Sequence, residues 1–183
     1  MRKVIVGIAV CALAVSANAA FILNWGAAAG FTTDGTNPIL PGVGQSTVAN
    51  LYLAPDGLAD EIGPGGVPQG DDILLDTATA TNGGGSYEEY GFFGPALFNA
   101  PFQAGSVYGV IFQDSVIDAG DALYRGPLQA ANDNPGAPVA PDTYEMNTDL
   151  AYGDAFNGTV VPEPASLALL GLGALVVLRM RKR

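Results

Sequence analysis

The sequence predicts an all-β fold, an antiparallel sandwich or jelly-roll-like ectodomain, set between an N-terminal signal peptide and a C-terminal single transmembrane helix. Three observations lead there. All 16 aromatic residues, eight Phe, seven Tyr and Trp25, lie between Ala20 and Val161, enough to build a core rather than a disordered polymer. Helix signals in the same stretch are poor, because Gly and Pro recur every few residues and no apolar pattern of period 3.6 runs beyond two turns. Short β-prone runs separated by turn chemistry are what remains.

In chain order the expected strands are Phe21 to Trp25, Thr47 to Ala54 (TVANLYLA), Asp72 to Asp76 (DILLD), Tyr87 to Phe93, Ser106 to Gln113 (SVYGVIFQ), Ala122 to Arg125, Thr143 to Leu150 and Gly158 to Val161. Pro55-Asp56-Gly57 ends the second, Gly63-Pro64-Gly65-Gly66 precedes the third, and Asn82-Gly83-Gly84-Gly85 precedes the fourth. Ser106 to Gln113 is apolar on both alternating faces, which predicts a strand buried centrally. Gln129 to Asp142, with its Asn134-Pro135-Gly136 turn, reads as a loop or linker. A parallel sheet would need crossover helices, and the sequence offers none. A repeat of fixed period is also missing, which argues against a solenoid.

Both flanks have a different character. Arg2 and Lys3 precede the 12-residue apolar run Val4 to Val15, and Ser16-Ala17-Asn18-Ala19-Ala20 follows. Small residues at Ala17 and Ala19 fit the narrow subsites of signal peptidase, so cleavage is expected between Ala19 and Ala20. The run is shorter than the ~20 residues that a spanning helix needs. Cys11 lies midway along it, preceded by Val10 where lipid attachment wants a small residue, and reads as apolar filler. The three parts of the chain are therefore residues 1–19, 20–161 and 162–183.

The last part runs through Pro162-Glu163-Pro164, the apolar stretch Ala165 to Leu178 and a basic end with Arg179, Arg181, Lys182 and Arg183. The two prolines exclude helix at the motif itself and leave it extended, whereas Pro164 suits the first position of the helix that follows. Fourteen residues from 165 to 178 make a helix of roughly 21 Å at ~1.5 Å per residue, short for a ~30 Å hydrocarbon core. Snorkelling arginines and local thinning close that gap, as a temporary anchor requires. The positive-inside rule keeps both basic ends in the cytoplasm and everything between them outside.

This order of motif, Gly-containing apolar helix and Arg-rich end closely resembles the PEP-CTERM sorting signal of Gram-negative envelope proteins. The resemblance covers the tail alone. It implies recognition by exosortase, a multi-spanning membrane cysteine transpeptidase or protease, after a transient stay in the inner membrane. It also implies release or transfer of the ectodomain to the cell surface or to an exopolysaccharide matrix. Gly171 and Gly173 would let another helix approach closely, although glycine is common in membrane helices anyway.

Charge narrows the role of the middle. Between Ala20 and Val161 there are 17 acids and one base, Arg125, a net of −16. Nucleic-acid binding is excluded, since it needs Lys and Arg to displace counterions. The chain has no His, and its one Cys falls in the signal peptide, so a His-based triad, a His or Cys metal site and disulfides are unavailable. Ser-Lys catalysis fails for want of Lys in the mature domain. A glycine-rich stretch at Asn82 to Ser86 lacks the Lys and helix of a phosphate loop.

Carboxylates are the remaining chemistry. Asp114, Asp118 and Asp121 follow the expected central strand on a Gly-containing turn and form a candidate calcium site, although their spacing departs from the D-x-[DN]-x-[DN]-G pattern. Asp71-Asp72 with Asp76, and Asn132-Asp133-Asn134, are weaker versions of the same idea. Glu88 and Glu89 between Tyr87 and Tyr90 offer raw material for a sugar site, but neighbouring strand residues face opposite ways and cannot flank one bond. The expectation is therefore a non-enzymatic structural or matrix protein without a cofactor. Its alternative is a secreted carbohydrate- or calcium-binding module, which an exposed row of Tyr and Trp or a cation cluster would favour.

Overall fold

The structure, a computed structural model, describes residues 20–27, 29–85, 88–132, 141–147 and 154–162. Ala17 and Ala19, and the tail from Glu163 and Pro164 through the apolar run to Arg179, Arg181, Lys182 and Arg183, lie outside the described residues. The strands are β1 (Ala20–Gly26), β2 (Phe31–Thr32), β3 (Ser46–Ala54), β4 (Ile62–Gly63), β5 (Val67–Pro68), β6 (Ile73–Thr81), β7 (Ala96–Pro101), β8 (Ser106–Phe112), β9 (Ala122–Arg125), β10 (Gln129–Ala130), β11 (Asp142–Glu145), β12 (Asp154–Ala155) and β13 (Gly158–Thr159). Helical structure among the described residues is confined to two 3₁₀ turns, Pro64–Gly66 and Glu88–Tyr90. The class is all-β.

A six-stranded antiparallel sheet runs β13-β9-β8-β3-β6, with β10 also paired to β8. A three-stranded sheet runs β11-β1-β7. Their shared core explains why β3 and β8 are so apolar. Ala49, Leu51 and Leu53 of β3 and Val107 and Ile111 of β8 pack in one cluster with Phe21, Leu23, Trp25 and Tyr144 of the smaller sheet. Side chains alternate across a strand, so Tyr52, Ala54, Tyr108, Val110 and Phe112 fall on the opposite face. There they form a second cluster with Ile62, Leu123 and Val160. The central burial expected for the Ser106 run is thus present on both faces. Gly109 sits where the chain beyond β11 crosses β8, and a Cβ there would lie 2.6 Å from Cγ of Met146.

Several expectations need correction. Pairing is not antiparallel throughout: β1 runs antiparallel to β7 but parallel to β11, and β2 runs parallel to β12. No crossover helix is required, because the chain between β1 and β11 first builds β3, β6, β8, β9 and β10 of the larger sheet. Tyr87 lies outside the described residues, and the rest of that expected run, 88–93, is not a strand. Gly91 there has φ +70°, and its N–H reaches the carbonyl of Glu88 at 3.1 Å, closing a turn. The strand lies later, at β7, whose residues alternate between half-buried and exposed. The Asp72 run extends to Thr81, since Thr77, Thr79 and Thr81 suit a pleated surface and pair across to β3. Of Thr143 to Leu150, the strand portion is β11, and residues 148–150 lie outside the described residues. Within the expected loop from Gln129, the first two residues pair with β8.

The last described strand, β13, ends at Thr159, and the chain stays tied to its neighbours up to Pro162. The N–H of Val160 donates to Asp121 O at 2.8 Å and that of Val161 to Ile62 O at 2.8 Å. Pro162 follows, exposed and without an N–H to continue the pairing.

Candidate functional site

Leu53 near the end of β3 lies opposite Ile73 at the start of β6, so the residues after β3 and those before β6 emerge at the same end of the sheet. After β3 the chain turns at Gly57, whose N–H donates to Ala54 O at 3.2 Å with φ +79°. Asp56 braces this turn by accepting the N–H of Leu58 at 2.8 Å. The β4–β5 hairpin then folds the intervening chain back, and the N–H of Gln69 donates to Glu61 O at 2.8 Å. As a result Asp56, Asp71 and Asp72 each bring a carboxylate oxygen to within 4.8 Å of the others.

Asp72 is the buried member, 8% exposed, whereas Asp56 and Asp71 face solvent. Its Oδ2 accepts the Tyr108 hydroxyl at 2.6 Å and the Asp60 N–H at 2.8 Å. In return the Asp72 N–H donates to Asp60 Oδ2 at 2.9 Å. Its other oxygen, Oδ1, is buried with no hydrogen-bond partner. Burial pushes the Asp72 carboxyl above its ordinary range. The bonds from Asp60 and Tyr108 oppose that rise, and the charges of Asp60 and Asp71 add to it.

Beneath the carboxylates lies a polar seam in the second apolar cluster. The Tyr108 ring stacks on Tyr52 with centroids 5.3 Å apart, and the Arg125 guanidinium carbon lies 5.7 Å from the Tyr108 ring centre. Arg125 Nη2 also donates to Asp60 O at 2.5 Å, while its Nε is buried without a partner. Tyr52 donates to Gly66 O at 2.7 Å and accepts from Asn50 Nδ2 at 2.7 Å. Burial pushes the Tyr52 hydroxyl up to about 12 and raises that of Tyr108 further. Both phenols therefore stay neutral donors at ordinary pH.

Of the expected calcium ligands Asp114, Asp118 and Asp121, two hold a neighbouring backbone N–H. Asp114 Oδ1 accepts the N–H of Val116 at 2.8 Å, and Asp121 Oδ2 accepts that of Asp118 at 2.6 Å, so two of the three brace their own turn. Among the described residues, it is Asp56, Asp71 and Asp72 that meet as an acidic trio. Asp76 instead accepts the Trp25 indole N–H at 2.9 Å. Glu88 Oε2 accepts the N–H groups of Gly83 and Gly85, at 2.6 and 3.1 Å, and closes the glycine-rich loop. The side chain of Glu89 lies outside the described residues. A shallow depression of about 780 Å³ is lined by residues including Asn37, Gln45, Gln113 and Asp114, and no aromatic ring contributes to it. Asp71 and Asp72 are adjacent in the sequence and read together, whereas Asp56 falls in the Pro55-Asp56-Gly57 turn and Asp60 has no motif around it. The available signal was an acidic run on either side of a Gly/Pro-rich hairpin, D-G-L-A-D-E before and G-D-D after.

Residues 160–183 match the family model of the PEP-CTERM protein-sorting motif. The chain carries that motif, which marks it as an exosortase-targeted extracellular protein with a C-terminal membrane-anchored sorting signal. No curated protein and no solved structure matches the chain. Among the described residues no helix is long and apolar enough to cross a membrane, and the apolar run 165–178 lies outside them.

Proposed function

We propose that the protein is a non-enzymatic structural component of the cell surface or extracellular matrix of a Gram-negative bacterium, associated with exopolysaccharide. Signal peptidase would release it at Ala20, the tail would hold it in the inner membrane, and exosortase would then free or transfer the ectodomain. The sorting motif at residues 160–183 is the observation that carries this reading. Two features of the ectodomain support it against a carbohydrate-binding role. Trp25, Tyr52, Tyr108 and Tyr144 are fully buried, so these rings serve the core and present no stacking face to a sugar. The open depression has no ring either. Against catalysis stands the inventory of the mature chain, which lacks His, Cys and Lys between Ala20 and Val161.

Fractionation of the producing cells tests this reading. The protein should sediment with the exopolysaccharide-bearing surface material, and a strain unable to make that polymer should shed it into the culture fluid. Equal solubility in both strains would contradict an association with the polymer.

A further inference from the structure

We propose that Asp56, Asp71 and Asp72 bind one divalent cation of the calcium type, an inference independent of how the chain is sorted. Calcium holds oxygen ligands at about 2.3–2.6 Å, so two oxygens on one ion lie no more than about 5 Å apart. The three carboxylates meet that condition, with oxygens within 4.8 Å of one another. They come from two loops that the β3–β6 pairing brings together, so a shared ion would tie the loops across the end of the sheet.

The second observation is the state of Asp72. Its side chain is 8% exposed, and Oδ1 has no hydrogen-bond partner although Oδ2 has two. A buried carboxylate oxygen left unpaired is costly, and two further carboxylates beside it increase the cost. A cation removes both penalties at once. The base of the domain does not perform this task by hydrogen bonding, since Arg125 donates to the Asp60 carbonyl and lies over Tyr108. All the donors are hard oxygens, which suit calcium or magnesium and not a metal that prefers nitrogen or sulfur.

Asp60 acts as a positioning residue. Its Oδ2 accepts the Asp72 N–H while its own N–H holds Asp72 Oδ2, which fixes the carboxylate from both sides. Gly70 makes room for this, because a Cβ there would fall 2.2 Å from Asp60 Oδ1. The exposed Asp56 and Asp71 leave the site partly open to solvent, as in extracellular modules with dissociation constants of roughly 0.1–1 mM.

The test uses the full chain in mild detergent, stripped with EDTA and melted in about 0.15 M NaCl, where the Debye length is ~8 Å and general screening is already strong. Addition of calcium at about ten times its dissociation constant should raise the melting temperature by roughly 5 °C, beyond any effect of NaCl at matched ionic strength. The D56N/D71N variant alters two exposed side chains and should fold in EDTA at least as stably as the parent, yet lose that rise. Calorimetric titration with calcium should give one site in the parent, abolished in D56N/D71N and in D72N. The D114N/D118N/D121N variant should respond like the parent. A parent without calcium response beyond matched NaCl would overturn the proposal, as would a response that survives in D56N/D71N or disappears in D114N/D118N/D121N.

Discussion

Replacing Pro162, Glu163 and Pro164 together by alanine is expected to leave export intact and to stop release, with the unprocessed chain accumulating in the membrane fraction. The prolines hold the motif extended, and alanine, the best helix former, would let the following helix extend back through it. The ectodomain should be indifferent to the change. Among the described residues the last backbone bond, from Val161 to Ile62 O, precedes the three substituted positions, and Pro162 is exposed. Immunoblotting of membrane and culture fluid measures the outcome, and an unchanged melting temperature confirms that folding was not the cause. Normal release of the alanine variant would remove the sorting motif from the account.

Trp25→Ala should be the most damaging single substitution in the ectodomain. The indole is fully buried, meets the Phe93 ring edge-on at 5.3 Å and donates from the smaller sheet to Asp76 on β6 of the larger one at 2.9 Å. Loss of the ring and the cavity left behind should cost about 3–5 kcal/mol. A domain of ordinary stability has roughly 5–15 kcal/mol in total, so the variant should be largely unfolded or close to it at growth temperature. Trp25→Phe retains an apolar ring and removes the indole N–H, and should cost less, about 1–2 kcal/mol from the lost bond and the imperfect fit. Urea unfolding of the full chain followed by far-UV circular dichroism gives both values. A loss below about 1 kcal/mol for Trp25→Ala would mean that this ring does not join the two sheets.

Legibility in the sequence followed how locally each feature is encoded. β3 and β8 are long and apolar on both faces, and that signature survives without knowledge of their partners. β9 coincided with its expected run for a similar reason. Aromatic content misled at Tyr87 to Phe93, where Gly91 and the back-bonding of Glu88 favour a turn over an extended run. The parallel pairing of β1 with β11 depends on the path of more than half the chain, which no local pattern records. Two-residue strands such as β2, β4 and β12 owe their pairing to tertiary placement and carry no periodicity of their own. The acidic trio was obscure for the same reason: Asp56 stands far along the chain from Asp71 and Asp72, and only the register of β3 on β6 brings them together. At the tail, by contrast, motif, apolar run and basic end are contiguous, and the sorting signal could be read directly.

The intact mass of the protein recovered from the cell surface or culture fluid shows whether the exported chain is processed at both ends. The expected mass is that of a chain that begins at Ala20 and lacks the apolar run and the basic end from Arg179 to Arg183. A recovered protein that still contains Met1 to Ala19, or that retains Arg183, would contradict it.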